Sequence, residues 1–216
     1  MNILSKLLLT LTLIAGSAEA VFDLNNPPAE IPTELQDRLA WGLFNLDADV
    51  VAEALGAGAS SKVEFSQTSE NGETYTRFRN AYGFLLGFNN LARSLFQIQC
   101  PHSPSEAEEY EQQIEGTEKL QLINQMTKSI EQLHKLHTVL AVLITKGVSV
   151  DRKFNDFLGV SSMREFVNRR IENYPYESGR ESHLIANLVL IWGNCELPMW
   201  QHLQLLIEKH QPEIKA

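Results

Sequence analysis

The chain has 216 residues, of which 44% are hydrophobic and 21% are charged, and this balance predicts a globular protein of one domain or at most two small ones. Asp and Glu total 27 against 18 for Lys and Arg, so the formal net charge is -9. Such a surface repels a nucleic-acid backbone and an anionic membrane, which disfavours both as general partners and leaves room only for a local basic patch.

Residues 1–20 have the pattern of a secretory signal peptide. One cation, Lys6, precedes an apolar run over 7–16, and the small-residue exit from Ser17 to Ala20 follows. Because about ten apolar residues span roughly half of a bilayer's hydrocarbon core, we expect cleavage after Ala20 rather than a permanent span. The alternative is an uncleaved anchoring helix. The predicted location is secreted or periplasmic, and we expect a soluble mature chain.

Helical spacing begins after an extended lead-in over 21–32, which contains three prolines. Thr33 and Gln36 form a candidate capping box, and leucines recur every three or four residues behind it. A second, shorter helix over 49–57 ends in a glycine-rich stretch. These two segments predict a helical hairpin.

A strand pattern follows the helical hairpin. Val63 and Phe65 alternate with polar residues, Tyr75 belongs to a second alternating run, and Asn71-Gly72 lies between the two runs. Asn-Gly flanked by alternating segments is typical of a tight turn between paired strands. The sequence therefore predicts one β-hairpin, over residues 62–78.

Most of the remaining chain has helical spacing. Predicted helices cover 80–99, 117–146 with a break near 132–136, 161–173, 181–192 and 197–210. Another is expected to begin at Ser105, where an acidic cluster fits the positive end of a helix better than a metal site. Gly83 and Gly87 leave one face of the first of these helices flat enough for close helix contact. About seven to nine helices in total predict an all-α protein.

Cys100 and Cys195 are the complete set of cysteines. An oxidising compartment permits one disulfide between them, and two unpaired thiols are the alternative. The sequence leaves the pairing open because nothing in it sets the distance between the two residues.

Two side-chain groups are candidates for catalysis or metal binding, and each lacks part of the arrangement that such chemistry needs. Glu131, His134 and His137 share one helix face, but a di-iron bundle needs a second copy of this motif and two further carboxylates. Cys100 and His102 are close in sequence on a proline-containing loop, which rarely holds the geometry of a nucleophile and its base. Phosphate-binding loops and hydrolase motifs are absent from the sequence. We therefore predict no catalytic residue, cofactor or metal, and no enzyme.

Two groups of large side chains occupy helical positions. The tryptophans are predicted core residues: Trp41, Trp192 and Trp200. The arginines predict a solvated helix face that is able to dock an acidic partner segment: Arg164, Arg169 and Arg170.

A short helix that buries its first, fourth and fifth positions recurs over 51–59, 140–148 and 203–210. The first two copies end at glycine, whereas His210 ends the third. Residues 39–59, which end in the Gly58-Ala59 step, resemble the two antiparallel helices of an ankyrin repeat, and the β-hairpin follows where that family places a projecting finger. The Thr-Pro-Leu-His opening of the family's first helix is absent.

The resemblance implies an α-solenoid of about five degenerate helical hairpins over 33–216, with one β-hairpin finger. The alternative is a compact helical bundle. The resemblance also implies a non-enzymatic, exported scaffold that binds a protein partner through its loop tips and concave helix face. The candidate partner-binding residues on the finger are Glu64, Gln67, Glu73, Tyr75 and Arg77. The competing functions are a secreted inhibitor or immunity-type protein, whose acidic surface engages a basic target, and an enzyme of unrecognised class.

Overall fold

The computed structural model describes residues 22–69, 71–88, 116–156, 159–172 and 184–212. The helices are α1 (Leu35–Asn45), α2 (Ala48–Gly56), α3 (Ala81–Phe88), α4 (Gly116–Thr145), α5 (Met163–Glu172) and α6 (Leu184–His210). The strands are β1 (Phe22–Asp23), β2 (Lys62–Thr68), β3 (Thr74–Asn80), β4 (Phe154–Asp156) and β5 (Gly159–Ser161). The predicted signal peptide, Cys100, His102 and the helix predicted from Ser105 lie outside the described residues.

Helices α1 and α2 form the predicted helical hairpin. Leu46 joins them in the left-handed conformation, with φ 57°, and the Asp47 N–H donates to the Gly42 carbonyl over 2.8 Å. Asp47 Oδ1 accepts hydrogen bonds from the N–H groups of Asp49 and Val50, which caps α2. The sequence therefore predicted the two helices of this unit, whose apolar spacing is local, but not the turn at Leu46 or the cap at Asp47.

The predicted capping box at the start of α1 is wrong. The N-cap residue is Glu34, and its side chain makes no capping hydrogen bond. The Gln36 amide instead donates to the carbonyls of Ser60 and Lys62 and accepts from the Ser60 N–H. Gln36 thus attaches α1 to the segment that enters β2, because its amide supplies a donor to the two carbonyls and an acceptor to the Ser60 N–H.

The predicted β-hairpin is confirmed and belongs to a three-stranded sheet in the order β1, β2, β3. Strands β2 and β3 are antiparallel, with Lys62 opposite Asn80 and Thr68 opposite Thr74. β1 pairs in parallel with β2 and places Phe22 opposite Phe65. The lead-in was predicted to be extended, but its pairing with the hairpin was not predicted.

The all-α solenoid is wrong on two counts. First, the fold is mixed, because β4 and β5 form a second small sheet beside the first. Second, the described buried hydrophobic residues apart from Val50 form one cluster that α1, α4 and α6 share, with Ile144 and Ile207 inside it and Leu55 packed against it. A solenoid requires short repeated units that contact only their neighbours, whereas these helices bury their apolar faces in a common core.

The long helices also differ from the predicted ones. α4 runs through 132–136 without a break, because Leu133 and Leu136 are fully buried on the stripe that continues into Leu140. α6 joins the helices predicted over 181–192 and 197–210 and contains Pro198. Pro198 is exposed, so water is able to satisfy the backbone carbonyl that a proline leaves without its helical donor.

Gly83 provides a close contact, but not with another helix. A Cβ at this position would lie 3.0 Å from the Cβ of Phe154 in β4. The flat face of α3 thus packs on a strand. Within the described ranges, no helix combines the length and apolar character needed to cross a bilayer.

Candidate functional site

The outer edge of β2 is covered along much of its length. The Leu24 N–H donates to the Ser66 carbonyl over 3.1 Å, next to the β1 pairing. The Asn25 amide donates to the Thr68 carbonyl over 3.3 Å, and the Gln36 amide donates to the Lys62 carbonyl over 3.1 Å. The two-residue strand β1 therefore covers only part of this edge, and the side-chain amides of Asn25 and Gln36 bind outward carbonyls of β2 on either side of it.

The outer edge of β3 is the open edge of this sheet in the described part of the chain. The Ala81 N–H donates to the Ser61 carbonyl at one end of the paired strands, and the Ser69 N–H donates to the Glu73 carbonyl at the other end. Both are therefore hydrogen-bonded pairs of opposite residues, and both consist of odd-numbered residues. Because such positions alternate in an antiparallel pair, the even-numbered residues of β3 point their backbone groups away from β2. These residues are Thr74, Thr76, Phe78 and Asn80.

Three of the five predicted partner-binding residues share one face of the β-hairpin. Gln67 lies opposite Tyr75, and Arg77 lies opposite Phe65, on the face that buries Phe65 and Val63 in the core. The Arg77 guanidinium carbon lies 5.1 Å from the centroid of the Tyr75 ring, a cation–π contact. The structure therefore brings Gln67, Tyr75 and Arg77 together on this face, in the half of the hairpin that is nearer the turn.

The other two predicted residues lie elsewhere on the hairpin. Glu64 is opposite Phe78, so its side chain belongs to the reverse face. Glu73 is exposed in the turn, where its carbonyl accepts hydrogen bonds from the N–H and hydroxyl of Ser69. No single contact surface thus contains all five side chains.

The outward backbone groups of β3 were missed at the sequence level. Thr74 and Thr76 gave a signal, because β-branched residues at alternating positions are typical of a strand. Which edge stays open depends on where β1 pairs, and no local pattern in the sequence contains that information.

The histidine cluster of α4 meets a histidine of α6. His137 Nε2 and His202 Nδ1 are 2.8 Å apart, with one ring donating to the other. Partial burial, and secondarily the positive charges of His202 and His134, lower the pKa of His137 to about 4. Among the described side chains, no group of three or more His, Cys, Asp or Glu residues is placed to hold a metal ion.

The predicted solvated arginine face of α5 is wrong. Arg164 forms an ion pair with Asp151 over 2.6 Å, and its side chain is only 11% exposed. Arg170 pairs with Glu196, which is buried in α6, and Arg169 is half-buried. These side chains attach α5 to the rest of the fold, because a long guanidinium packs its stem while it keeps an acidic partner.

The predicted core tryptophans differ in depth. Trp200 is fully buried, and its Nε1–H donates to Glu196 over 2.9 Å. Trp41 is half-buried, and its Nε1–H donates to the Pro28 carbonyl. The side chain of Trp192 lies outside the described ones. Cys195 is half-buried, and the choice between a disulfide and two unpaired thiols stays open because Cys100 lies outside the described residues.

No family model, curated protein or solved structure matches this chain. The membership of the ankyrin-repeat family therefore stays a prediction, while the solenoid architecture that it implied is corrected by the single shared core.

Proposed function

We propose that this protein is a non-enzymatic binding module that captures an extended segment of a protein partner on the outer edge of β3. The segment adds a strand to the sheet, with main-chain hydrogen bonds giving affinity and side-chain contacts giving specificity. The observation that carries the proposal is the asymmetry of the sheet, in which the edge of β2 is covered and the described residues leave the edge of β3 open.

The chemistry of β3 favours an acidic partner segment. The strand carries the exposed cation Arg77 and no acidic residue, although the whole chain has a net charge of -9. Tyr75 adds an aromatic surface at half-exposure, held by Arg77. An extended segment with one or two carboxylates and an apolar side chain complements this edge, because opposite charges across paired strands stabilise the pairing.

The proposed site of action is outside the cytoplasm. Support comes from the leader-like pattern of residues 1–20, in which one cation precedes a short apolar run and a small-residue exit. The partner is then a protein of the cell envelope or of the surroundings.

The test removes one N–H donor from the outer edge of β3 and keeps all the hydrogen bonds between β3 and β2. In Thr76→Pro, the proline removes an outward donor, a substitution that edge strands tolerate. Extended peptides are selected on the wild-type protein from a phage-displayed random library, and affinities are measured by calorimetry. We expect acidic peptides that slow hydrogen exchange at the amides of Thr74, Thr76 and Phe78, and a loss of affinity of about tenfold in Thr76→Pro.

Thr76→Ala is the matched control, because it removes the same side chain and keeps the N–H. If Thr76→Pro does not fold, Thr74→Pro at the first residue of β3 replaces it, since proline is accepted at a strand start. The proposal is wrong if the selected peptides leave the β3 amides unprotected, or if the proline variant binds them as tightly as Thr76→Ala.

A further inference from the structure

The turn between β2 and β3 contains an Asn-Gly step. Asn71 and Gly72 are both exposed, and Gly72 has the left-handed conformation, with φ 84°. The Gly72 N–H donates to the Ser69 carbonyl over 2.9 Å, which closes the turn. Beyond shaping the turn, these two residues have a covalent reactivity of their own.

An asparagine followed by glycine holds an electrophile and a nucleophile in adjacent residues. Attack of the Gly72 backbone nitrogen on Cγ of Asn71 closes a succinimide ring, and the covalent link between the two residues already keeps the reacting atoms close. Glycine has no Cβ to hinder this approach. A Cβ built on Gly72 would meet no heavy atom within 4 Å outside its chain neighbours, so water and hydroxide have open access to the turn.

The side chain of Asn71 is arranged as an electrophile. Its Oδ1 accepts a hydrogen bond from the Ser69 hydroxyl, which also lies 3.2 Å from the Glu73 carbonyl. A donor on the amide oxygen stabilises the negative charge that develops there when a nucleophile adds to Cγ, as in an oxyanion hole. In the described part of the chain the Asn71 amide nitrogen has no hydrogen-bond partner, so nothing there holds the leaving group.

We propose that Asn71 is a site of spontaneous deamidation. Hydroxide removes the amide proton of Gly72, the nitrogen bonds to Cγ of Asn71, and the bond from Cγ to the side-chain nitrogen breaks. This nitrogen takes protons from water and leaves as ammonia. Water then opens the succinimide at either carbonyl and leaves aspartate or isoaspartate at position 71. No oxidant or reductant takes part, because an amide is exchanged for an imide and the imide is hydrolysed.

The modification changes the charge and the backbone length at the tip of the hairpin. Both products add a carboxylate next to the exposed Glu73, and isoaspartate also inserts a methylene into the main chain. The insertion falls between Thr68 and Thr74, the last pair of the two strands, where the length of the turn sets the register. The inference depends on the turn alone and does not rest on the proposed strand addition.

The test incubates the full chain in mildly alkaline buffer and follows each asparagine by peptide mass spectrometry. Two exposed asparagines of the same chain are internal controls. Asn45 precedes Leu46, whose buried side chain hinders the backbone nitrogen, and Asn26 precedes Pro27, which has no N–H to lose. We expect deamidation at Asn71 to be at least about tenfold faster than at either control, with isoaspartate among the products.

Two variants test the roles of the neighbouring residues. Gly72→Asp places a Cβ beside the attacking nitrogen in a residue type that tolerates the left-handed conformation, and is expected to slow the reaction by about tenfold. Ser69→Ala removes the hydroxyl donor and is expected to slow the reaction severalfold in the folded chain. In concentrated urea, where the turn is absent, Ser69→Ala should react as fast as the wild type.

The proposal is overturned if Asn71 deamidates no faster than Asn45 and Asn26, or if Gly72→Asp reacts as fast as the wild type. The role of the Ser69 hydroxyl is overturned if Ser69→Ala matches the wild-type rate in the folded chain, or if urea leaves the difference between them unchanged.

Discussion

His137 on α4 and His202 on α6 are hydrogen-bonded across the contact between the two longest helices. Their rings lie 5.0 Å apart between centroids in an edge-to-face arrangement. A hydrogen bond between two imidazoles requires at least one of them to present a bare nitrogen, so the pair fits a state that is not fully protonated. The sequence identified His137 as a candidate ligand and gave no indication of His202, because the two are joined only by helix packing.

This pair predicts a loss of stability in mild acid. The pKa of His137 lies near 4 in the folded protein, below the ordinary value of 6.5, so the unfolded chain binds a proton first as the pH falls. The free energy of unfolding therefore decreases from about pH 6.5 to about pH 4, and His137 makes its full contribution above that window. Urea unfolding over this pH range measures the slope, which His137→Gln is expected to reduce.

The control is His210→Gln, which removes an exposed histidine beyond this pair on α6. An equal slope in wild type and His137→Gln, with His210→Gln also unchanged, would contradict the role assigned to the pair.

At the scale of elements, the helical hairpin of α1 and α2 depends on one small residue. A Cβ added to Gly42 would lie 2.9 Å from Val51 Cγ2 and 3.2 Å from the Val51 backbone nitrogen. Since Val51 is fully buried, neither group moves away without disturbing the core. The sequence predicted both helices but not this contact, because crossing distances are set by the partner helix.

Gly42→Ala is therefore expected to destabilise the protein by about 1–3 kcal/mol, as overpacking does in cores. The matched variant is Gly56→Ala at the end of α2, where a new Cβ would meet only the flexible end of Lys146 at 3.7 Å. Alanine there is expected to be neutral or slightly stabilising, because it has the higher helix propensity. Urea midpoints compare the two, and equal shifts would contradict the contact argument.

At the scale of the molecule, Gln211 connects the end of α6 to the end of α4. Its amide nitrogen donates to the carbonyls of Ile144 over 3.1 Å and Val148 over 2.9 Å, and its oxygen accepts from the Val150 N–H over 3.0 Å. Arg164 donates to the Gln211 backbone carbonyl over 2.6 Å, which joins α5 to the same place. The side chain and the backbone carbonyl of this one residue thus join α6, α5 and the end of α4 with the loop that follows it.

Gln211→Ala removes the three side-chain hydrogen bonds and is expected to lower the free energy of unfolding by about 1–3 kcal/mol. Hydrogen exchange at the Val150 amide should become faster, since its acceptor is lost. Gln201→Ala, at an exposed position of α6, is the control and should leave both quantities unchanged. A Val150 amide that exchanges equally in both variants would show that this connection does not matter.

The sequence by itself determined the elements whose signals lie within a few residues: the α1 and α2 pair, the β-hairpin with its Asn-Gly turn, and the helix that became α5. Apolar spacing and turn residues act locally and are readable there, whereas the predicted cap of α1 is wrong. The tertiary structure decided which strand edge β1 covers, whether α4 and α6 run unbroken, and how His137 comes to contact His202. Those outcomes depend on contacts between distant parts of the chain, which form only when the shared core is packed.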